Sequence, residues 1–123
     1  MLAIESIENK DVPDAAQQAV RDGYAEIIVV SMGPDGAWLV TDDRKYFAPA
    51  PPVEKKSTVG AGDSMVAGIV YTLAGGKSLK EAIRYGVACG TAATMNPGTE
   101  LCNKRDADAL YSLVSIDDNY ARV

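Results

Sequence analysis

The chain has 123 residues, 47% of them hydrophobic and 24% charged, with a formal net charge of −5 and no histidine. That length supports one domain with a modest core. The acidic balance argues against a nucleic-acid or anionic-membrane surface. The lack of imidazole excludes histidine acid–base chemistry, histidine metal sites and Ser-His-Asp hydrolysis from this chain.

The segment Met1 to Asp11 carries three acidic residues and does not read as a secretion signal. The short apolar runs, such as Met65 to Tyr71, do not reach the length of a membrane span. Cys89 and Cys102 have no metal-ligand spacing and are expected as reduced thiols in a cytoplasmic setting, Cys89 in packing and Cys102 partly exposed.

In chain order, Pro13 to Asp22 predicts an amphipathic helix, with Pro13 opening it and Gly23 following it. Its inner stripe is read as Ala15, Ala16, Ala19 and Val20. Ile27 to Val30 is a β-branched run that fits a strand buried on both faces of a parallel sheet. Gly33-Pro34-Asp35-Gly36 is a turn of type I geometry. Two short strands, Ala37 to Thr41 and Arg44 to Ala48, are joined by Asp42-Asp43, with Trp38 and Tyr46 as core or edge residues. Pro49, Pro51 and Pro52 then enforce an extended connection.

Three helices are predicted next. Ser64 to Ala74 is apolar on most sides and should be buried, ending at Gly75-Gly76. Leu79 to Met95 is capped by Ser78, with Glu81 as its capping-box partner. Leu79, Ile83, Gly86, Val87 and Gly90 share one face, while Lys80, Glu81 and Arg84 face water. The small residues of its second half allow something to approach the backbone closely. Asn96-Pro97-Gly98 stops it. Asn103 caps a last helix, Lys104 to Val114, with Ala107, Leu110, Leu113 and Val114 inward, and Asp117 to Val123 reads as a frayed tail. A strand, a hairpin and stacked helices make an α/β pattern. Its apolar sheet faces and edges predict self-association.

The segment with chemical content is Ser57-Thr58-Val59-Gly60-Ala61-Gly62-Asp63-Ser64, a glycine-paired loop opening into an apolar helix. Glycine lets a ligand approach backbone amides, and a helix start offers unpaired N–H groups and a positive dipole end. Such a place holds an anion, most often phosphate. Asp63 adds a carboxylate there, and taking a proton from an incoming hydroxyl is one task for it. Taken alone, Asp63 is most simply a helix N-cap; the octapeptide as a whole favours phosphoryl transfer. No Lys-Ser/Thr pair follows the last glycine and position 65 is Met, so neither the Walker loop nor the dinucleotide fingerprint fits.

This octapeptide closely resembles the Gly-Ala-Gly-Asp region of the pfkB, or ribokinase-like, carbohydrate kinases. The likeness extends through Val29-Val30-Ser31-Met32-Gly33-Pro34-Asp35-Gly36-Ala37, Pro51-Pro52-Val53, Tyr85-Gly86-Val87-Ala88, Gly90-Thr91-Ala92-Ala93-Thr94 and Asn96-Pro97-Gly98-Thr99, covering about Pro13 to Val114. The flanks are most similar to the 6-phosphofructokinase branch, with 1-phosphofructokinases and tagatose-6-phosphate kinases next.

The resemblance implies an α/β fold, the C-terminal part of a three-layer, Rossmann-like ribokinase-type domain. Residues 1–123 would then be the ATP-binding and catalytic portion of a longer enzyme. The family's sugar-binding residues, lid strands and Asn-x-x-Glu magnesium motif have no counterpart in this sequence.

It further implies ATP with Mg2+ and a ketohexose phosphate as substrates. Asp63 would be the catalytic base, with the Gly60, Ala61 and Gly62 amides as the anion hole. Ser31, Gly33 and Gly36 match the nucleotide-side loop; an ordinary hairpin turn is the alternative. Val87 and Thr91 match positions lining the adenine pocket, with plain helix packing equally open. In some relatives backbone carbonyls hold a potassium ion beside the anion hole, and the matching positions are Ser57, Val59, Ala93, Asn96, Gly98 and Glu100. Two readings from other classes stand beside the kinase: a non-catalytic nucleotide-binding or structural fragment, and a regulatory module descended from a kinase.

Overall fold

The computed structural model describes residues 2–5, 12–96 and 102–116. Packing divides the chain into two compact units, the first running to Pro49 and the second spanning Ala50–Ser115.

The first unit is a four-stranded sheet with one helix. Its strands are β1 (Leu2–Glu5), β2 (Ile28–Ser31), β3 (Gly36–Val40) and β4 (Lys45–Pro49), and its helix is α1 (Val12–Arg21). The strands lie in sequence order, β1 parallel to β2 and the remaining pairs antiparallel. The sheet is therefore mixed rather than wholly parallel. The β-branched run is buried as expected at Ile28, Val29 and Val30, while Ile27 lies just outside the strand and is only partly buried. Strand β1 has no counterpart among the predicted elements, because four residues without flanking turn signals carry too little periodicity to identify.

Ala16 and Val20 of α1 pack with Ile28, Val30, Trp38 and Val40 to form the core of this unit. Trp38 stands opposite Phe47 in the β3–β4 register, with ring centroids 4.9 Å apart. Trp38 and Tyr46 are both buried. The inner stripe of α1 is rotated from the expected one: Ala15 is exposed and Gln17 is buried. A buried amide needs a partner, and Gln17 Nε2 donates to the Thr41 carbonyl at 3.2 Å. The β3–β4 turn is held by Thr41, whose Oγ1 accepts from the Arg44 amide at 3.0 Å.

The second unit contains α2 (Ala61–Ala74), α3 (Leu79–Thr94) and α4 (Lys104–Tyr111). Ser78 caps α3 by accepting from the Glu81 amide, and Asn103 caps α4 by accepting from the Asp106 amide, as the sequence predicts. The small residues in α3 serve the approach of α2. A Cβ on Gly86 would lie 2.5 Å from Ile69 Cγ1 and 3.0 Å from the Met65 carbonyl oxygen. Helix α2 is not fully buried, since Tyr71 is 61% exposed and Val70 is also open.

Two expectations near α4 are corrected. The helix ends at Tyr111 rather than Val114, so Leu113 turns outward at 65% exposure while Val114 stays buried. Arg84 does not simply face water. Its Nε donates to the carbonyls of Tyr111 and Val114 at 3.0 and 2.6 Å, and its guanidinium lies 4.1 Å over the Tyr111 ring. Those bonds add to the Val114 amide on the Tyr111 carbonyl and reach the Val114 carbonyl beyond the end of the helix.

Candidate functional site: a glycine turn at a helix start

Helix α2 begins at Ala61, three residues earlier than the sequence suggests, with Gly60 as its N-cap at φ 83° and ψ −2°. That left-handed conformation costs any other L-residue about 1–2 kcal/mol, so glycine is required there. Asp63 is therefore not the cap. It occupies the third helical position, and no side-chain cap bond is made at this end.

The consequence is a first turn with spare donors. The Ala61 amide donates weakly to the Thr58 carbonyl at 3.3 Å, and Ser64 N donates to the Gly60 carbonyl at 3.0 Å. Among the described residues, no backbone or side-chain acceptor meets the amides of Gly60, Gly62 and Asp63. The Asp63 side chain is exposed and likewise meets no partner there. The donors thus differ by one from the expected set, with Asp63 N standing where Ala61 N was expected. Only the hydrogen-bond pattern of the turn could distinguish them.

Two neighbouring segments steady this turn. Helix α3 braces it at Gly90, where a Cβ would lie 3.2 Å from the Ala61 carbonyl oxygen. The incoming stretch of chain is tethered at Thr94, whose carbonyl accepts from the Lys56 and Ser57 amides at 2.7 and 3.2 Å. Ser57 Oγ in turn accepts from the Val59 amide at 3.2 Å. Nothing in the sequence signals the role of Thr94.

The same tether gathers part of the predicted carbonyl set. Ser57 lies beside the C-terminal end of α3, where Asn96 N donates to the Ala93 carbonyl at 3.2 Å. Val59 follows two residues on and is exposed. Backbone carbonyls gathered in this way are the kind of ligand that a weakly hydrated cation takes. Gly98 and Glu100 lie outside the described residues, as does the tail 117–123. Among the described residues, no cluster of three or more acidic or thiol side chains offers a metal site of another kind.

The remaining candidates fare unequally. Ser31 closes β2 and is partly exposed, and Gly33 is exposed at φ 60°. Met32 N donates to the Gly36 carbonyl and Gly36 N to the Gly33 carbonyl, closing the predicted turn as a single helical turn of three residues. Gly36 has a structural reason of its own, because a Cβ there would collide with the Ala48 carbonyl. Val87 and Thr91 are only 4% and 7% exposed in this chain, which favours the packing alternative for both.

A turn of unpaired amides beside an exposed carboxylate is an arrangement that can hold an anion next to a proton acceptor. The profile of the pfkB family carbohydrate kinases matches residues 2–106, and the chain belongs to that family. It is 46% identical over 111 residues to the ATP-dependent 6-phosphofructokinase isozyme 2 of Escherichia coli strain K12, covering 90% of this chain and 36% of that protein. It is 34% identical to the 1-phosphofructokinase of Borreliella burgdorferi, again over 90% of this chain and 36% of the relative. Among solved structures, phosphofructokinase-2 from Escherichia coli in complex with potassium superposes with a TM-score of 0.84 at 39% identity, covering 92% of this chain and 41% of that one. The α/β, ribokinase-like fold expected from the loop is thus the fold the chain has. The chain spans little more than a third of the curated relatives it matches.

Proposed function

We propose that this chain is the C-terminal, nucleotide-side portion of a sugar-phosphate kinase. The reaction is transfer of the γ-phosphoryl of MgATP to a hydroxyl of a ketohexose phosphate, with fructose 6-phosphate at its 1-hydroxyl as the preferred acceptor. The observation that carries this reading is the first turn of α2, where unpaired amides and the unpaired Asp63 carboxylate share one helical turn.

Asp63 takes the proton from the acceptor hydroxyl as its oxygen attacks the γ-phosphorus and ADP leaves. The amides of Gly60, Gly62 and Asp63, with Ala61 N once its weak bond to Thr58 is released, face the charge on the transferring group. Phosphoryl transfer depends mainly on such positioning and charge stabilisation. Mg2+ bound to ATP supplies further neutralisation of phosphate charge. Ser31, Gly33 and Gly36 would contact the nucleotide, whereas adenine contact by Val87 and Thr91 rests on the family resemblance alone.

Potassium is proposed as an activator held by carbonyls that include Ser57, Val59, Ala93 and Asn96. The tether at Thr94 and the potassium complex of the Escherichia coli relative support it. The 1-phosphofructokinase relative keeps fructose 1-phosphate kinase chemistry as the alternative, and tagatose 6-phosphate is a further alternative acceptor. Because the chain spans 36–41% of its relatives, we expect it to bind nucleotide but not to turn over by itself. The intact Asp63 disfavours a purely regulatory descendant, which has no need of a base.

The test is an amide NMR titration of the chain with MgATP, in potassium and in sodium buffer. Shifts at Gly60 to Ser64 and at Ser31 to Gly36, larger in potassium, are the expected result. A dispersed spectrum indifferent to MgATP would overturn nucleotide binding by this portion. Equal titrations in both salts would remove the cation proposal and leave the anion site standing.

A further inference from the structure

The kinase reading uses neither cysteine. Cys89 is buried in the middle of α3, and Cys102 lies close enough to it to raise its thiol. Two separate contacts locate both residues on α2. A Cβ on Gly68 would lie 2.7 Å from Cys89 Sγ, and Cys102 N donates to Ser64 Oγ at 3.3 Å. Ser64 and Gly68 are one turn apart on one face of that helix, so Cys89 and Cys102 lie over a single stretch of α2. Their backbones differ in freedom. Cys89 is held by the helix bonds of α3, whereas Cys102 is half-buried in irregular chain just ahead of the Asn103 cap.

We propose that Cys89 and Cys102 are a reversible dithiol–disulfide pair, oxidised by a small-molecule disulfide such as oxidised glutathione. Cys102, the more accessible sulfur, attacks one sulfur of glutathione disulfide and releases one glutathione. Cys89 then attacks the Cys102 sulfur of the mixed disulfide and releases the second. The two protein thiols lose two electrons and two protons, and two glutathione molecules carry them away. Burial, with Cys102 alongside, pushes the Cys89 thiol up to about 12. Because the thiolate is the attacking form, Cys89 is the poorer nucleophile of the two, and its attack on the mixed disulfide relies on being held beside Cys102. Bonding requires sulfurs about 2 Å apart, and Cys102, outside any helix or strand, is the residue that would have to shift. The bond ties α3 to the segment entering α4. This inference is independent of the kinase reading.

The experiment equilibrates the 123-residue chain in glutathione buffers of graded ratio, blocks remaining thiols with an alkylating reagent and weighs the products. The expected result is concerted loss of both thiols with no retained glutathione. Cys89→Ala, a smaller residue facing Gly68, should instead stop at a mixed disulfide on Cys102. Repeating the titration in denaturing urea tests the role of the fold, and the folded chain should favour the intramolecular bond at least tenfold over the unfolded one. A stable mixed disulfide in the unsubstituted chain, an intermolecular dimer, two unreacted thiols, or an equal or lower preference in the folded state would each overturn the proposal.

Discussion

The chain contains two glycine turns that look alike in sequence and differ in what their glycines achieve. At Gly33 to Gly36 the turn closes on itself: Met32 N reaches the Gly36 carbonyl, Gly36 N reaches the Gly33 carbonyl, and β4 leaves no room for a side chain at Gly36. The glycine is explained by the hairpin. At Gly60 to Gly62 the left-handed N-cap starts a helix where the Gly60, Gly62 and Asp63 amides find no acceptor among the described residues. A glycine motif points to a ligand where the backbone it shapes is left unsatisfied, and to architecture where that backbone is paired.

The sharpest way to break this contrast is Asp63→Asn in the full-length protein. Removing the base should lower kcat by about 10²–10⁴-fold while MgATP affinity changes little. Retained turnover would reduce the α2 turn to a helix start. Gly36→Ala should act on stability, costing about 3 kcal/mol through strain at φ 124° and collision with β4; denaturant unfolding reads this, and a loss near zero would mean the hairpin does not need its glycine. Gly60→Ala should cost a more modest amount, about 1–2 kcal/mol, yet abolish the MgATP-dependent shifts at Gly60 to Ser64. Unchanged shifts would mean that the left-handed cap does not create the anion site.

The smallest effect lies away from both turns and serves as a control. Lys104 Nζ stands 2.7 Å from Asp108 Oδ2, and the Tyr85 hydroxyl donates to Asp108 Oδ1 at 2.9 Å. Lys104 first, then Tyr85, holds the Asp108 carboxyl below its ordinary range. A depressed carboxyl contributes stability above its unfolded value, near pH 4, and loses it as pH falls through the folded one. Burial, then the bond to Asp108, raises the Tyr85 phenol, and Asp108 raises Lys104. Their contributions are complete below about pH 10 and fall as pH rises beyond it. Melting temperature against pH should therefore decline at both extremes, and Asp108→Asn should flatten both declines slightly. Altered MgATP shifts in that variant would show that α4 is coupled to the α2 turn.

Much of the fold was legible from short-range chemistry. Ser78 and Asn103 cap the helices they were expected to cap, because an N-cap is settled by one side chain and an amide three residues on. The β-branched run at Ile28 to Val30 and the hairpin after it follow from side-chain period and turn residues. The candidate loop was found as a unit, since its spacing is local. The inward placement of Leu113 and the solvated Arg84 failed together. Arg84 bonds Tyr111 and Val114 across 27 and 30 residues, so where α4 ends depends on a neighbouring helix.

The sequence by itself determined the family, the α/β class, the caps and the loop that carries Asp63, because each is encoded within a few residues of chain. Only the tertiary structure decided which amides of that loop stay unpaired, that Thr94 anchors its approach, that Val87 and Thr91 are packed away, and that Cys89 lies near Cys102. Each of those depends on groups far apart in sequence arriving at one place. Hydrogen-bond donors and buried atoms are assigned by what they touch, and the order of residues along a chain does not state that.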